Sequence, residues 1–265
     1  MNSEFLLIYL FLGAVAGVLA GLLGIGGGLI IVPVLVFAFK AQQFDQQLLV
    51  HLAVATSLAS VVFTAVSSAL AHHRRGAVRW PVVAGLAPGI FFGALIAGLM
   101  AGFLSGDLLI VMFGVFACAA AVNMAWDRGP LGQRDLPGPA GLFAAGGIIG
   151  AISSLVGVGG GTMTVPFLAH CRVEMRSAVG SSAACGFPIA VAGALALSAA
   201  GWGVERLPPW STGYVYWPAA CAVALASILA APLGVRLAHA LPVRTLRRVF
   251  AVLLLMLGIK LIAGI

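Results

Sequence analysis

The residues with the most to say chemically are glycines. Gly26, Gly27 and Gly28 stand in GLLGIGGGLIIVPVL, from Gly21 to Leu35, and Gly159, Gly160 and Gly161 stand in SLVGVGGGTMTVPFL, from Ser154 to Leu168. Both stretches keep the frame G-x-G-G-G-x-x-x-V-P, 133 residues apart. Without a Cβ, glycine lets the backbone turn and lets a ligand approach its N–H groups. An apolar half-helix follows each cluster, Leu29 to Phe39 or Thr162 to His170. The unpaired N–H groups and the positive dipole end at a helix N-terminus attract anions. Pro33 and Pro166, about one turn further on, would keep each half-helix short or bent. A lone glycine cluster in a membrane helix reads as close packing through small residues, and that is the reading of Gly85, Gly89 and Gly93. Two clusters with the same Val-Pro, at matching points of two halves, point instead to broken helices around a central site.

Hydroxyls form the second set. Thr56-Ser57 and Ser181-Ser182 lie at corresponding places in the two halves, each in the segment after a glycine motif. A hydroxyl is cheap to place in a membrane helix and can donate to an anion. The candidate substrate-binding residues are therefore Gly26, Gly27, Gly28, Thr56, Ser57, Gly159, Gly160, Gly161, Ser181 and Ser182. All seven acidic residues, Glu4, Asp45, Asp107, Asp127, Asp135, Glu174 and Glu205, fall in loops or at segment ends. That disfavours an intramembrane carboxylate relay and a carboxylate site for a cation. His51 and His170 sit near segment ends, where they could titrate but read more simply as interfacial. His72-His73-Arg74-Arg75 reads as a cytoplasmic topology anchor.

Enzymatic motifs are missing. No G-K-[ST] follows the glycines, there is no H-E-x-x-H, and the glycine spacing is not G-x-G-x-x-G. The spans offer no nucleophile with a nearby base. Cys118, Cys171, Cys185 and Cys221 have no metal-type spacing, so no disulfide, metal or cofactor is expected.

The elements that must position these residues are membrane helices. Of the 265 residues, 62% are hydrophobic and 8% charged, against about 25% charged in a soluble domain. The net charge of +7 is spread between apolar segments, so it sets topology rather than binding nucleic acid. The first apolar run does not read as a cleavable signal: Glu4 precedes it, no Lys or Arg does, and it continues into the glycines.

Apolar stretches run over 5–39, 48–71, 80–103, 108–125, 138–170, 177–201, 213–235 and 249–265. The stretch from Phe5 to Phe39 has 35 residues, about 52 Å as a helix against a hydrocarbon core of about 30 Å. If every stretch crosses once, the 14 basic residues divide 7 to 7. If both glycine-bearing stretches double back, one side collects Arg74, Arg75, Arg79, Arg128, Arg134, Arg172, Arg176, Arg236, Arg244, Arg247 and Arg248, and the other keeps Lys40, Arg206 and Lys260. The positive-inside rule prefers the second division.

The expected fold is thus an all-α polytopic membrane protein of two inverted repeats, each a glycine-tipped broken or re-entrant helical hairpin plus three spanning helices. The repeats cover 1–125 and 138–265, joined by a cytoplasmic linker at 126–137, with both termini outside. Trp80-Pro81 matches Trp217-Pro218, and Phe113 matches Phe250.

With these residues in view, the chain resembles the sulfite exporter TauE/SafE family, also called the toluene-sulfonate uptake permeases, over essentially its whole length. The resemblance rests on the duplicated G-x-G-G-G-x-x-x-V-P followed by a short Thr-Ser or Ser-Ser stretch. Members often show Gly-Thr-Ser there. This chain has Ala55-Thr56-Ser57 and Gly180-Ser181-Ser182, each departing at one position. The resemblance implies a bacterial plasma-membrane (inner-membrane) carrier of small sulfur-containing or carboxylated anions, such as sulfite, sulfoacetate or sulfolactate. On residues and resemblance together, the expected function is secondary transport, in the export direction, of such an anion, held by backbone N–H groups of both hairpins. The expected partners are that anion and the lipid bilayer. An anion channel is the alternative within transport; a non-transporting scaffold or assembly protein is the alternative from another class.

Overall fold

The computed structural model describes residues 3–24, 27–125, 135–240 and 243–263. Ten helices follow in order among them: α1 (Ser3–Leu23), α2 (Gly28–Ala41), α3 (Leu49–His73), α4 (Trp80–Ala101), α5 (Gly106–Ala125), α6 (Pro139–Val156), α7 (Gly161–His170), α8 (Met175–Ala200), α9 (Trp217–Ala240) and α10 (Val243–Ala263). One two-residue antiparallel ladder, Ser211–Thr212 with Val215–Tyr216, departs from an all-helical chain. Seven helices are long and apolar enough to cross a membrane: α1, α3, α4, α5, α6, α8 and α9. The chain is an all-α polytopic membrane protein.

Both overlong apolar stretches are broken at the glycines. Helix α1 stops at Leu23 and α2 starts at Gly28; α6 stops at Val156 and α7 starts at Gly161. Gly24 and Gly157 take φ of +68° and +72°, a left-handed conformation that ends a helix and that side chains resist. Pro33 and Pro166 lie inside α2 and α7, which continue past them. The Gln42 side-chain amide donates to the Tyr9 hydroxyl, and the Tyr9 and Phe39 rings meet edge to face at 6.4 Å. The end of α2 therefore lies beside the first half of α1. In the same way Arg172, after α7, reaches Asp135, before α6, at 3.5 Å.

Small residues set the helix packing. Gly13, Gly17 and Gly21 form one ridge of α1, and added methyls there would collide with Val223, Ser227 and Ala231 of α9. Gly146 and Gly150 of α6 meet Leu86 and Ile90 of α4 in the same way. Gly85, Gly89 and Gly93 face Leu142, Phe143 and Gly147, the packing role expected for them. Close backbone approach of this kind replaces the hydrophobic drive that lipid removes. The helix pairing keeps its form when the halves are exchanged: α1 with α9 becomes α6 with α4, α3 with α9 becomes α8 with α4, and α3 with α8 and α5 with α10 map onto themselves. Of the seven long helices, α3 is the most enclosed, and it lies against α8 at the centre.

Candidate functional site

The two breaks meet at the centre of the molecule. A methyl on Gly28 would strike the Gly157 carbonyl and come within 2.8 Å of the Val158 Cα. A methyl on Gly157 would in turn press on Val32 and Val54 at 2.8 and 3.0 Å. The breaks differ in detail. Gly27 has φ +76° and Gly160 has φ −55°, so only the first needs a left-handed residue at the helix entrance. Gly27 O accepts the N–H groups of Ile30 and Ile31 at 3.1 and 3.2 Å, and Gly160 O accepts that of Thr164 at 2.8 Å. The N–H groups of Gly161, Thr162 and Met163, at the start of α7, have no hydrogen-bond partner among the described residues, as the first turn of any helix leaves them. Gly26 lies outside the described residues. Gly159 and Gly161 are buried on either side of Gly160.

The four hydroxyls sit around these breaks, fully buried, and they cross between the halves. Ser57 Oγ, on α3, donates to the carbonyl of Gly157 at 2.9 Å. Ser182 Oγ, on α8, lies 3.3 Å from the carbonyl of Gly24 and 2.8 Å from that of Val179. Thr56 Oγ1 accepts the N–H of Tyr216 at 3.0 Å, and Ser181 Oγ accepts the N–H of Arg79 at 3.0 Å. Tyr216 and Arg79 are the residues just before the two Trp-Pro helix starts. Each half thus fastens the other's break with one hydroxyl and the start of the other's fourth helix with the next. The protons of Ser57 and Ser182 are engaged by carbonyls; Thr56 and Ser181 use acceptor capacity and keep a proton to give.

Sequence reasoning missed a polar stripe on α3. Ser57, Ser60, Thr64, Ser68 and His72 recur at helical spacing and are all buried. Ser60 donates to Ser57 O at 2.7 Å, Thr64 to Ser60 O at 3.1 Å, and the Thr64 and Ser227 hydroxyls meet at 2.5 Å. The i, i+3, i+4 spacing was the available signal. His72 corrects an expectation: it is buried, not part of a solvated anchor, with Nε2 at 3.0 Å from Gly21 O. His51 is also buried, with Nε2 at 3.1 Å from the carbonyls of Ala101 and Leu104 and its ring 4.9 Å from Tyr214. No described acidic residue is buried. The arrangement gathers neutral N–H and O–H donors and buries no formal negative charge, which suits an anion.

Comparison with known proteins finds membrane transporters. The model of the family "Sulfite exporter TauE/SafE" matches residues 9–261. A "Probable membrane transporter protein" of Haemophilus influenzae is 36% identical over 258 residues, 97% of each chain. The "Probable membrane transporter protein MJ0441" of Methanocaldococcus jannaschii is 28% identical over 98% of this chain and 97% of its own. The "Probable membrane transporter protein YunE" of Bacillus subtilis is 26% identical over 96% of each. No solved structure matches.

Proposed function

The chain belongs to the sulfite exporter TauE/SafE family of membrane transporters, and from that premise we propose that it is a secondary transporter that exports a small sulfur-containing oxyanion, sulfite or an organosulfonate, across a bacterial inner membrane. The observation that carries the reading is the meeting of two helix breaks at Gly28 and Gly157, ringed by neutral donors, with no described carboxylate buried. A pyramidal or tetrahedral oxyanion has several acceptor oxygens and can take N–H bonds from more than one helix start. Gly28 opens α2 at that point, and the positive end of a helix dipole favours an anion over a cation.

On this reading the architecture is a pair of inverted repeats, 1–125 and 138–265, with re-entrant hairpins α1–α2 and α6–α7 and both termini outside. Three contacts favour it. Asp45 pairs with Arg206 at 3.5 Å, Asp135 pairs with Arg172 at 3.5 Å, and Arg75 donates to Val235 O at 2.9 Å, next to Arg236. Each joins loops that lie on one side if the glycine stretches double back, and on opposite sides if every stretch crosses once. Glycine N–H groups at 26–28 and 159–161 bind the anion, and Thr56 and Ser181 each keep a proton to offer it. Ser57 and Ser182 hold the breaks in shape. An inside-negative potential favours export by about 2.3 kcal/mol per charge per 100 mV, so the cycle works without a buried proton-relay acid.

Purified protein in vesicles tests this. Sulfite, methanesulfonate and Na⁺ fluxes are compared under an imposed potential. Saturable anion flux that follows the potential in the sense of a negative charge, or a neutral cycle with counter-transport, is expected. Non-saturating flux would mean a channel, and Na⁺ flux with none of these anions would end the reading.

A further inference from the structure

Between the glycines and Val-Pro, the two motifs differ in polarity across the three intervening residues. The first reads Leu29-Ile30-Ile31, the second Thr162-Met163-Thr164. The difference falls on the first turn of each short helix. The Thr162 and Thr164 hydroxyl oxygens are buried and have no hydrogen-bond partner among the described residues, and Thr164 as a whole is fully enclosed. A helical threonine usually returns its proton to a carbonyl one turn back; these two do not. A buried hydroxyl with no partner is costly to maintain, and a ligand that accepts its proton removes that cost.

The hydroxyl of Thr164 is directed at the helix start, 3.2 Å from where a Cβ on Gly160 would stand. Opposite that start, α8 presents Gly186. A methyl there would meet nothing nearer than Ala65 Cβ at 3.4 Å, with the Gly160 nitrogen at 3.8 Å. By the spacing that aligns Ser182 with Ser57, the residue corresponding to Gly186 in the first half is Val61, a fully buried side chain. The second break therefore has two things the first lacks, paired hydroxyls without a partner and an adjacent wall without a side chain, beside N–H groups of Gly161, Thr162 and Met163 that have no partner among the described residues.

We infer that the anion is held off the axis between the halves, at the N-terminus of α7, with the Thr162 and Thr164 hydroxyls as its side-chain donors and the side-chain-free backbone of Gly186 opposite. The first break, with Leu29 and Ile31 in their places, supplies apolar closure rather than an equal share of the binding. Substrate choice then resides in the second repeat. Two hydroxyls beside three N–H groups select an anion with at least three acceptor oxygens, as in a sulfite or sulfonate group, over a halide. This inference rests on the anion-transport reading above.

The test uses the full chain, purified, with sulfite and methanesulfonate as probes and chloride as control, read by titration calorimetry. Thr164→Val keeps the shape and removes the donor, and it should weaken sulfite binding about tenfold or more. Thr164→Ser should stay within about threefold of the wild type, and Ile31→Val in the first repeat should change nothing. Wild-type affinity in both T164V and T162V would overturn the inference and leave the transport reading standing. A folded wild-type protein that binds neither probe would overturn both. Hydrogen exchange on the unmodified protein covers the case in which T164V does not fold: sulfite should protect amides of 160–164 more strongly than those of 28–31, and equal protection of the two segments would overturn the off-axis site.

Discussion

Ser57 and Ser182 do corresponding work with unequal grip. The 2.9 Å bond from Ser57 to Gly157 O is that serine's own, whereas Ser182 divides its proton between Gly24 O at 3.3 Å and Val179 O at 2.8 Å. Removing one partner of a buried hydrogen bond leaves the other unpaired at about 1–3 kcal/mol. Ser57→Ala should therefore lower the unfolding temperature more than Ser182→Ala, as differential scanning calorimetry of the purified protein would show. The glycines separate in the same manner. Gly27 has φ +76° and faces Ala16 O at 2.9 Å from an added Cβ, so Gly27→Val should reduce the yield of folded protein. Gly160 has ordinary helical φ and would press on the flexible end of Ile189 at 3.0 Å. Gly160→Ala should fold and still weaken sulfite binding, because the methyl stands beside the N–H groups. Normal binding in both variants would reduce the motif to packing.

Helices and their breaks were the part most legible in the sequence. An apolar run of 35 residues is too long for one crossing, and the basic residues fall into order only if it turns at its glycines. Helices α4 and α9 begin at Trp80 and Trp217, the pair that aligned the halves. The hydroxyl partners were not legible. Spacing puts Ser57 on a helix face but cannot say that a carbonyl 100 residues away occupies its proton. His72 misled for a similar reason: in HHRR it reads as part of a topology anchor, yet it lies one helical step beyond Ser68 on the enclosed face of α3. The doubling back has its own check. In a background free of Cys118, Cys171, Cys185 and Cys221, single cysteines near Lys40 and Arg206 should react with an impermeant maleimide from outside the cell. Cysteines near Arg75 and Arg236 should react only after permeabilisation. Labelling of Arg75 and Arg236 sites on opposite faces would refute the hairpins.

For the molecule as a whole, neither half is self-sufficient. Ridge packing runs between them, α1 on α9 and α6 on α4, and each break is fastened from across the divide. A chain ending near residue 125 should be degraded, while the halves 1–125 and 138–265 produced together should assemble, as co-purification and sulfite binding would report. The same fastening imposes a schedule on the ribosome. Gly24 is made early, but Ser182, which caps its carbonyl, follows 158 residues later. At about 5–20 residues per second that is a wait of about 10–30 seconds with the first break in the bilayer and its clasp not yet synthesised. For Gly157 the order is reversed: Ser57 precedes it by 100 residues and is waiting when it arrives. The first break is thus the one exposed to quality-control proteases during synthesis, and slow translation between α3 and α8 should lower the yield of this protein more than an equal delay after α8.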